Sequence, residues 1–479
     1  MNNANSLVKN SFFNVAYKML NAVFPLITAA YIARIIYAEG VGEVSYAQNI
    51  VSYFTTIAVL GIPNYGIREI AKVKKDGKES NLVFSELLVI NAISTTLCLI
   101  VYCILINILP FFSENIKLFY AVGLNLLFNY ANVDWFYQGR EEYAYIAKRS
   151  FLIKILSLIS VFIFVRNEND VVKYALITSF ATGGNYIFNV ITLKKYNIRL
   201  TFKNLNIKRH LNSIFIMLGS VIAVDLYTML DTTMIGVLCK SSAVGYYTNA
   251  MKLVKTLITV ITAIGGVLLP RLSQYYAEGN VEKCEYVVNK VFTVMLFLFL
   301  PCEIGIILTA DLIMPVMFGG SFIPAVSTLQ ILALLICTLG FSNLFGTQIL
   351  LTFAQEKKLL HCTLVGAISN ILLNSILIPN YQQNGAAIAS VISETLVTLM
   401  AFIYSKKYIR IKLKGRYLIA VTLSSILMSI VVLSVKNSTK NSVINLLISI
   451  LCGVVVYGFT NYLIKNPEFQ EFQDFYKLN

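Results

Sequence analysis

Residues 82–107 read LVFSELLVINAISTTLCLIVYCILIN, a run of 26 residues with one charged side chain, Glu86. A helix needs about 20 predominantly apolar residues to cross the hydrocarbon core of a bilayer. This run is long enough to span and too sparsely charged to form a wet surface. The rest of the chain repeats the pattern. Of 479 residues, 57% are hydrophobic and 13% are charged, against about 25% charged in an ordinary soluble domain. The mean hydropathy is +0.71. The same ruler places about fourteen spans, at 11–33, 44–62, 82–107, 116–137, 150–165, 171–192, 211–237, 244–268, 287–309, 323–351, 359–378, 385–404, 417–434 and 442–463. Lipid offers no partner to backbone N–H and C=O groups, so each span is expected to be helical. The fold class is all-α, a polytopic membrane protein with no separate soluble domain. The first span carries Lys18 in its middle, which the core of a cleaved signal peptide would not tolerate, so a retained helix is expected.

The formal charge of +15 has three readings: nucleic acid, an anionic membrane surface, or the cytoplasmic bias of membrane proteins. Placement decides. With the N-terminus in the cytoplasm, 28 of the 39 Lys and Arg fall in cytoplasmic loops and span ends, 7 on the outside, and 4 (Lys18, Lys154, Lys252, Lys255) inside spans. This bias puts both termini in the cytoplasm and accounts for the charge without nucleic acid. The basic segments 72–78, 194–209 and 406–416 are the main anchors and would attract anionic lipid headgroups.

Motifs for covalent chemistry are missing. The eight cysteines, at 98, 103, 239, 284, 302, 337, 362 and 452, form no CxxC pair and fall mostly in apolar runs, where Cys behaves as a small hydrophobe. His210 and His361 sit at cytoplasmic span ends with no partner pattern. No HExxH, P-loop or GxSxG occurs. Gly183-Gly184, inside the sixth span, reads as close helix packing rather than a phosphate loop. The external loops are short, the longest being about a dozen residues near 311–322, which leaves no room for an external catalytic domain. The expectation is a transporter, not an enzyme, with no cofactor, no metal and no ATPase of its own.

The chain repeats itself at an offset of 203 residues. Val41-Gly42 follows the first span and Val244-Gly245 the seventh, and five of 21 positions are identical between 41–61 and 244–264. Spans 1–6 and 7–12 run with the same polarity, as in transporters built from parallel repeats. The expected organisation is a first lobe over 1–210, a second over 211–410, and two further helices with a tail over 411–479.

Polar residues recur inside the spans at helical spacing. Asn14, Lys18, Asn21, Pro25 and Thr28 follow 4, 3, 4, 3 on the first span; Thr248, Lys252, Lys255, Thr259 and Thr262 follow the same spacing on the eighth. The 203-residue offset carries these faces to Ser45, Asn49, Ser52 and Thr56 on the second span, and to Thr228 and Asp231 on the seventh, with Asp225 on the next row. A charge at the bilayer centre costs about 2.5–3.5 kcal/mol even on the lenient scale. These groups should therefore face one another or a water-filled cavity. The bland alternative is structural glue between helices. Three lysines against two aspartates make such a cavity slightly cationic, suited to a diphosphate. The candidate lining is Asn14, Lys18, Asn21, Arg34, Asn49, Asp225, Asp231, Lys252 and Lys255. Arg34 reads either as an interfacial anchor or as a guard of the outer mouth. Lys154 can snorkel, Glu303 follows Pro301 as an interface residue, and Glu394 lies mid-span without an assignment.

Several segments resemble the polysaccharide-transporter (Wzx-type) branch of the multidrug/oligosaccharidyl-lipid/polysaccharide exporter superfamily. These are residues 6–72 with Val41-Gly42 and Gly61-Ile62-Pro63, then Asp134-Trp135-Phe136-Tyr137-Gln138-Gly139 followed by Glu142-Tyr143. Asp231-Thr232-Thr233-Met234-Ile235-Gly236 with Val244-Gly245-Tyr246-Tyr247, and Gly385-Ala386-Ala387-Ile388-Ala389 leading to Glu394, complete the set. The resemblance implies two six-helix lobes plus two helices in the cell membrane. It also implies transfer of undecaprenyl-diphosphate-linked sugar repeat units to the outer leaflet, for capsule, exopolysaccharide or O-antigen synthesis. The implied partners are the lipid-linked oligosaccharide, membrane lipids, and polysaccharide polymerase with other assembly proteins, around a monomeric transporter. The family's cationic cavity carries over to Lys18, Lys252 and Lys255, and to Arg34, with H+ or Na+ as candidate coupling ions near Asp225 and Asp231. The rival readings are a cation-coupled drug exporter, which would want an anionic cavity, a lipid II or teichoic-acid precursor flippase, and a polymerase or ligase, which would want a large external loop.

Overall fold

The computed structural model describes residues 23–74, 76–265, 268–412, 415–439, 441–464 and 466. Among them the regular structure is helical, with no strand. The chain separates into two compact units, one ending at Gly245 and the other starting at Tyr246.

The first unit holds α1 (Val23–Ile35), α2 (Tyr37–Val59), α3 (Ile62–Val73), α4 (Gly77–Ile108) and α5 (Ile116–Phe128). It continues with α6 (Asp134–Gly139), α7 (Tyr143–Phe164), α8 (Val171–Thr192) and α9 (Lys208–Leu238), and takes the first turn of α10 (Ser241–Gly265). The second unit holds the rest of α10, α11 (Leu268–Ala277), α12 (Val281–Phe318), α13 (Val326–Ala333) and α14 (Leu335–Ser342), which runs into a π-helical stretch, Asn343–Leu350. It ends with α15 (Glu356–Ser405), α16 (Gly415–Val435) and α17 (Ser442–Leu463). Seven helical stretches among the described residues are long and apolar enough to cross a membrane, and Val23–Ile35, Ile116–Ala131 and Thr228–Leu238 are shorter apolar helices. The chain is a multi-pass membrane protein.

Local chemistry sets the ends of these helices. Asp76 caps α4 by accepting from the N–H groups of Lys78 and Glu79, and Asn441 caps α17 by accepting from Val443 and Ile444. Leu60, at φ 52°, turns the chain between α2 and α3, and Pro63 sits in the first turn of α3. The expected spans 359–378 and 385–404 are two antiparallel helices within α15, where the chain reverses at Gln382 (φ 50°, ψ −128°) three residues after Pro379, so that Ser369 Oγ meets Ser393 Oγ at 3.1 Å and His361 Nδ1 meets Tyr404 OH at 3.0 Å. The proline removes a ladder hydrogen bond there.

The helices sort their apolar residues for lipid as well as for each other. On α4, Ile93, Leu97, Ile100, Ile104 and Ile108 recur along one face and are exposed, while Leu87, Ile90, Tyr102 and Ile106 on the other face are buried. Lipid tails are as apolar as Leu, so helix contacts rest on close packing and hydrogen bonds rather than on hydrophobic burial. Gly183 supplies such a contact: a Cβ there would stand 2.4 Å from the Phe128 ring. Tyr102 packs edge-on against Phe54 and donates its hydroxyl to Phe119 O at 2.7 Å.

Both units repeat the same details at the end where their basic linkers lie. After α8, the extended segment at 199–201 donates the Arg199 N–H to Asn81 Oδ1 (3.2 Å) and the Thr201 N–H to Ser85 Oγ (3.0 Å) on α4. After α15, Arg410 N–H donates to Glu285 Oε1 (3.1 Å) and Lys412 N–H to Asn289 Oδ1 (2.6 Å) on α12. Two extended residues cover about 6.6 Å, close to the roughly 6 Å of four helical residues. Alternate N–H groups therefore meet side chains at i and i+4. In each unit an earlier turn ends on a left-handed non-glycine residue, Glu141 (φ 61°) or Ala354 (φ 53°). The next residue's N–H returns to the helix, Glu142 to Tyr137 O and Gln355 to Leu350 O. A cation from beside each turn then covers a linker tyrosine: Arg140 lies 4.9 Å from the Tyr196 centroid, and Lys358 lies 4.8 Å from that of Tyr408.

Candidate functional site

In the first unit, the polar face expected on the second span meets the seventh span at Thr233, Met229 and Asp225, whereas Thr228, also expected there, is exposed and returns its hydroxyl to Asp225 O. Asn49 Nδ2 donates to Thr233 Oγ1 (2.6 Å) and to Met229 O (3.2 Å). Tyr53 OH shares a 2.8 Å hydrogen bond with Thr233 Oγ1, and Thr56 Oγ1 donates to Asp225 Oδ2 at 2.6 Å. With Asn49 against Thr233 and Met229, and Thr56 further along α2 against Asp225 further back on α9, the two helices run antiparallel with a polar seam between them. Asp231 lies on α9 two residues from Thr233 and is buried.

Not every polar residue of the stripes faces a neighbouring helix. Ser52, Thr256, Thr259 and Thr262 return their hydroxyls to the carbonyl four residues back, the ordinary way a helix absorbs Ser and Thr. On α10 the cations remain. Lys252 is half-buried, with its Nζ 3.4 Å from Asn249 Oδ1, and Lys255 is exposed. Arg34 is exposed near the end of α1. Asn14, Lys18 and Asn21 lie outside the described residues.

The remaining intramembrane charges have separate placements. Lys154 Nζ stands 5.9 Å from the Phe24 ring centroid. Glu303 accepts the Cys337 N–H at 3.2 Å, which ties α12 to α14. Glu394 is half-buried on α15.

Two buried polar clusters escape the sequence. His210 was expected to have no partners; it is almost fully buried between Tyr65 and Glu86, with Tyr65 OH 2.7 Å from Nδ1 and Glu86 Oε2 2.7 Å from Nε2. Glu86, fully buried, also accepts from Arg209 Nη2 (2.6 Å), Arg209 Nε (3.0 Å) and the Asn206 N–H (2.6 Å). Burial opposes the Arg209 charge, but the Glu86 and Glu79 carboxylates more than offset it and hold the guanidinium above its usual range. In the second cluster, Arg149 on α7 pairs with Asp134 at 2.9 Å and donates to Asn189 on α8, which itself donates to Asp134. The only sequence signal for the first cluster is the lone carboxylate of the opening run; its cationic partner lies 123 residues away.

A cavity of about 620 Å3 opens at the other end of the first unit, lined in part by Glu39, Glu43, Glu114, Glu168 and Lys117. Among the described residues no group of His, Cys, Asp or Glu is arranged to hold a metal ion.

Residues 7–276 match the family model described as polysaccharide biosynthesis protein. A putative O-antigen transporter of Escherichia coli (strain K12) is 22% identical over 401 residues, 83% of this chain and 96% of that protein. A putative O-antigen transporter of Shigella dysenteriae is 25% identical over 388 residues, 79% and 95% of the two chains. Among solved structures, lipid II flippase MurJ in its inward closed conformation shares the fold with a TM-score of 0.75 at 17% identity, covering 94% of this chain and 98% of that one. An inward-facing multidrug resistance MATE family transporter of the MOP superfamily has a TM-score of 0.64 at 14% identity, covering 83% and 97%. With more than half of its length matched by the family model, the chain belongs to the polysaccharide biosynthesis protein family.

Proposed function

We propose that this protein is a flippase for lipid-linked oligosaccharides. It moves undecaprenyl-diphosphate-linked repeat units from the inner to the outer leaflet of the cell membrane, for capsule, exopolysaccharide or O-antigen synthesis. The observation that carries this reading is the likeness, over about four-fifths of the chain, to two proteins named putative O-antigen transporters. The absence of a catalytic motif agrees with transport rather than covalent chemistry.

In this mechanism the diphosphate meets Lys252 and Lys255, and Lys18 and Arg34 complete the cationic lining. The α2–α9 seam holds Asp225 through Thr56 and leaves the aspartates to balance charge or to take the coupling ion, H+ or Na+. Two six-helix lobes rock in alternating access while the lipid tail stays in the bilayer. Both termini are cytoplasmic, from the distribution of Lys and Arg. A second reading, a lipid II-type precursor as cargo, is supported by 24% identity over 159 residues to lipid II flippase MurJ of Bacillus subtilis (strain 168). Both cargoes present the same lipid diphosphate to the same lysines.

The test is the fate of lipid-linked repeat units when the gene is deleted in its host. Their accumulation on the inner leaflet, with loss of surface polysaccharide, is the expected result, and mass analysis then names the sugar. Normal surface polysaccharide with no trapped intermediate would sink the reading in favour of a drug exporter.

A further inference from the structure

The segment joining α8 to α9 is held in an unusual way for a loop. Its backbone is tied to α4 at Asn81, Ser85 and Glu86 through the N–H groups of Arg199, Thr201 and Asn206. Leu193, Tyr196, Ile198 and Ile207 turn inward and pack against the core of the first unit. Leu200 and Phe202 do not. They are 52% and 71% exposed, and Phe202 is the most exposed large apolar side chain among the described residues. The alternation follows from extended backbone: with the N–H groups of residues 199 and 201 facing α4, residues 200 and 202 point the other way.

Depth follows from the same hydrogen bonds. Ser85 and Glu86 lie three and four residues inside the apolar run that starts at residue 82. At 1.5 Å per residue, the linker backbone sits about 5 Å inside the start of that run, the depth at which amphipathic segments rest between headgroups and acyl chains. The charge matches such a location. Lys194, Lys195, Arg199, Lys203 and Lys208 are all exposed, and no Asp or Glu occurs between Asp170 and Asp225.

We propose that this linker is a lipid-binding anchor: Leu200 and Phe202 insert at the acyl boundary of the cytoplasmic leaflet, and the surrounding Lys and Arg bind anionic phospholipid headgroups. The anchor fixes the segment leading into α9, the helix that carries Asp225 and Asp231. The inference rests on the membrane topology proposed above and is independent of the cargo.

Position 202 can report on itself. The chain has one tryptophan, the buried Trp135, so the emission added by Phe202→Trp in the full-length protein is obtained by difference. The protein is reconstituted in vesicles of phosphatidylcholine alone or mixed with phosphatidylglycerol in both leaflets, which removes any dependence on insertion direction. The expected result is that the added emission is blue-shifted, loses most of its intensity to lipids brominated near the headgroup end of the chain, and resists aqueous acrylamide. The joint variant Lys194→Gln, Lys195→Gln, Lys203→Gln abolishes the gain in quenching that phosphatidylglycerol brings. Quenching by acrylamide and not by bromolipid would place the segment in water and overturn the proposal. Resistance to both quenchers would overturn it in favour of a protein partner or a second copy. Leu200→Trp serves as the second reporter where Phe202→Trp does not fold. No transport is measured, so failure here is separate from failure of the flippase reading.

Discussion

Gly42 and Gly245 each stand where the other's helix passes, and they do so reciprocally. A Cβ on Gly42 would lie 1.7 Å from Ser241 O, and a Cβ on Gly245 would lie 2.1 Å from Ala38 O. Residue 241 is residue 38 plus 203, and residue 245 is residue 42 plus 203, the offset at which the sequence repeats. A contact in which residue i meets j′ and j meets i′ is the mark of a two-fold relation between the contacting segments. The Val-Gly pairs at 41–42 and 244–245 are therefore one crossing seen from both sides, and glycine is required because the backbones touch.

Gly42→Ala and Gly245→Ala should each destabilise the protein. In an open helix, Gly to Ala adds stability of roughly 1 kcal/mol. Here the added methyl meets backbone carbonyl oxygens that have no rotamer to yield, and overpacking of this kind costs about 1–3 kcal/mol or more. Gly219 and Gly458, where a Cβ would meet nothing within 4 Å, are the controls. Thermal aggregation of the detergent-solubilised protein should shift down for the first pair and hold or rise for the second. Equal behaviour of all four would remove the crossing from the account.

Glu86→Ala should be among the most damaging single changes around the 193–207 linker. It strands Arg209, His210 and the Asn206 N–H together. Breaking a buried ion pair by removing one partner costs about 3–5 kcal/mol. Glu86→Gln keeps an acceptor and should cost less. Proteolysis of the 193–207 linker offers a local readout: it should accelerate in the Ala variant before the whole protein unfolds.

What the sequence made legible, and what it hid, divides along sequence distance. Helix positions follow from local hydropathy, and 82–107 is recovered within α4. The stripe of Asn49 and Thr56 follows from helical spacing, but the repeat points to Thr228 and Asp231 on α9, whereas the partners are Thr233, Met229 and Asp225. Glu86 was not legible as a site because its meaning depends on Arg209 and His210, which periodicity cannot relate to it. His210 looked unpartnered for the same reason. The reversal at Gln382 falls inside the 379–384 break between two expected spans, because Pro379 and the polar residues after it are readable locally. Thr259 and Thr262 fit the stripe by spacing, but their hydroxyls are satisfied within their own helix, a local choice that spacing cannot distinguish from one facing a cavity.

Asp170 gives the fold a definite acid limit on the side opposite the basic loops. Its carboxylate is held down to about 2 by Lys173 first, then by the N–H groups of Arg166 and Asn167, with Lys173 Nζ at 2.7 Å and the backbone donors at 2.9 and 3.0 Å. A depressed folded-state value means that the stabilisation is fully present above the unfolded carboxylate range, near 3.9, and is lost as pH falls towards 2. Between about pH 4 and pH 2 the parent protein should therefore lose melting temperature more steeply than Asp170→Asn. The variant should be the less stable of the two near neutral pH. Parallel curves across this range would show that the carboxylate is not held by these partners.

The polar seam and the α10 cations make different contributions, and transport kinetics can separate them. Thr56→Val removes the hydrogen bond from α2 to Asp225 while keeping the side chain's shape. The change leaves a polar group inside the protein short of a partner, at a cost of about 1–3 kcal/mol. It should lower thermal stability together with flux, and flux per folded molecule should fall less than total flux. Lys252→Ala and Lys255→Ala should behave in the opposite way. Relieving a cation of its place within a membrane helix removes a desolvation cost that offsets the contacts the side chain gives up, such as that of Lys252 to Asn249, whereas losing a charge-assisted contact to a diphosphate costs about 1.5–3 kcal/mol of binding, roughly ten- to a hundredfold in affinity. In proteoliposomes loaded with a lipid-linked oligosaccharide, the expected pattern is reduced flux per folded molecule at low substrate. Lys255→Arg should restore most of the flux, and Lys240→Ala, an exposed cation outside the stripe, should leave it intact. Full transport in the double variant Lys252→Ala, Lys255→Ala would take the diphosphate away from α10.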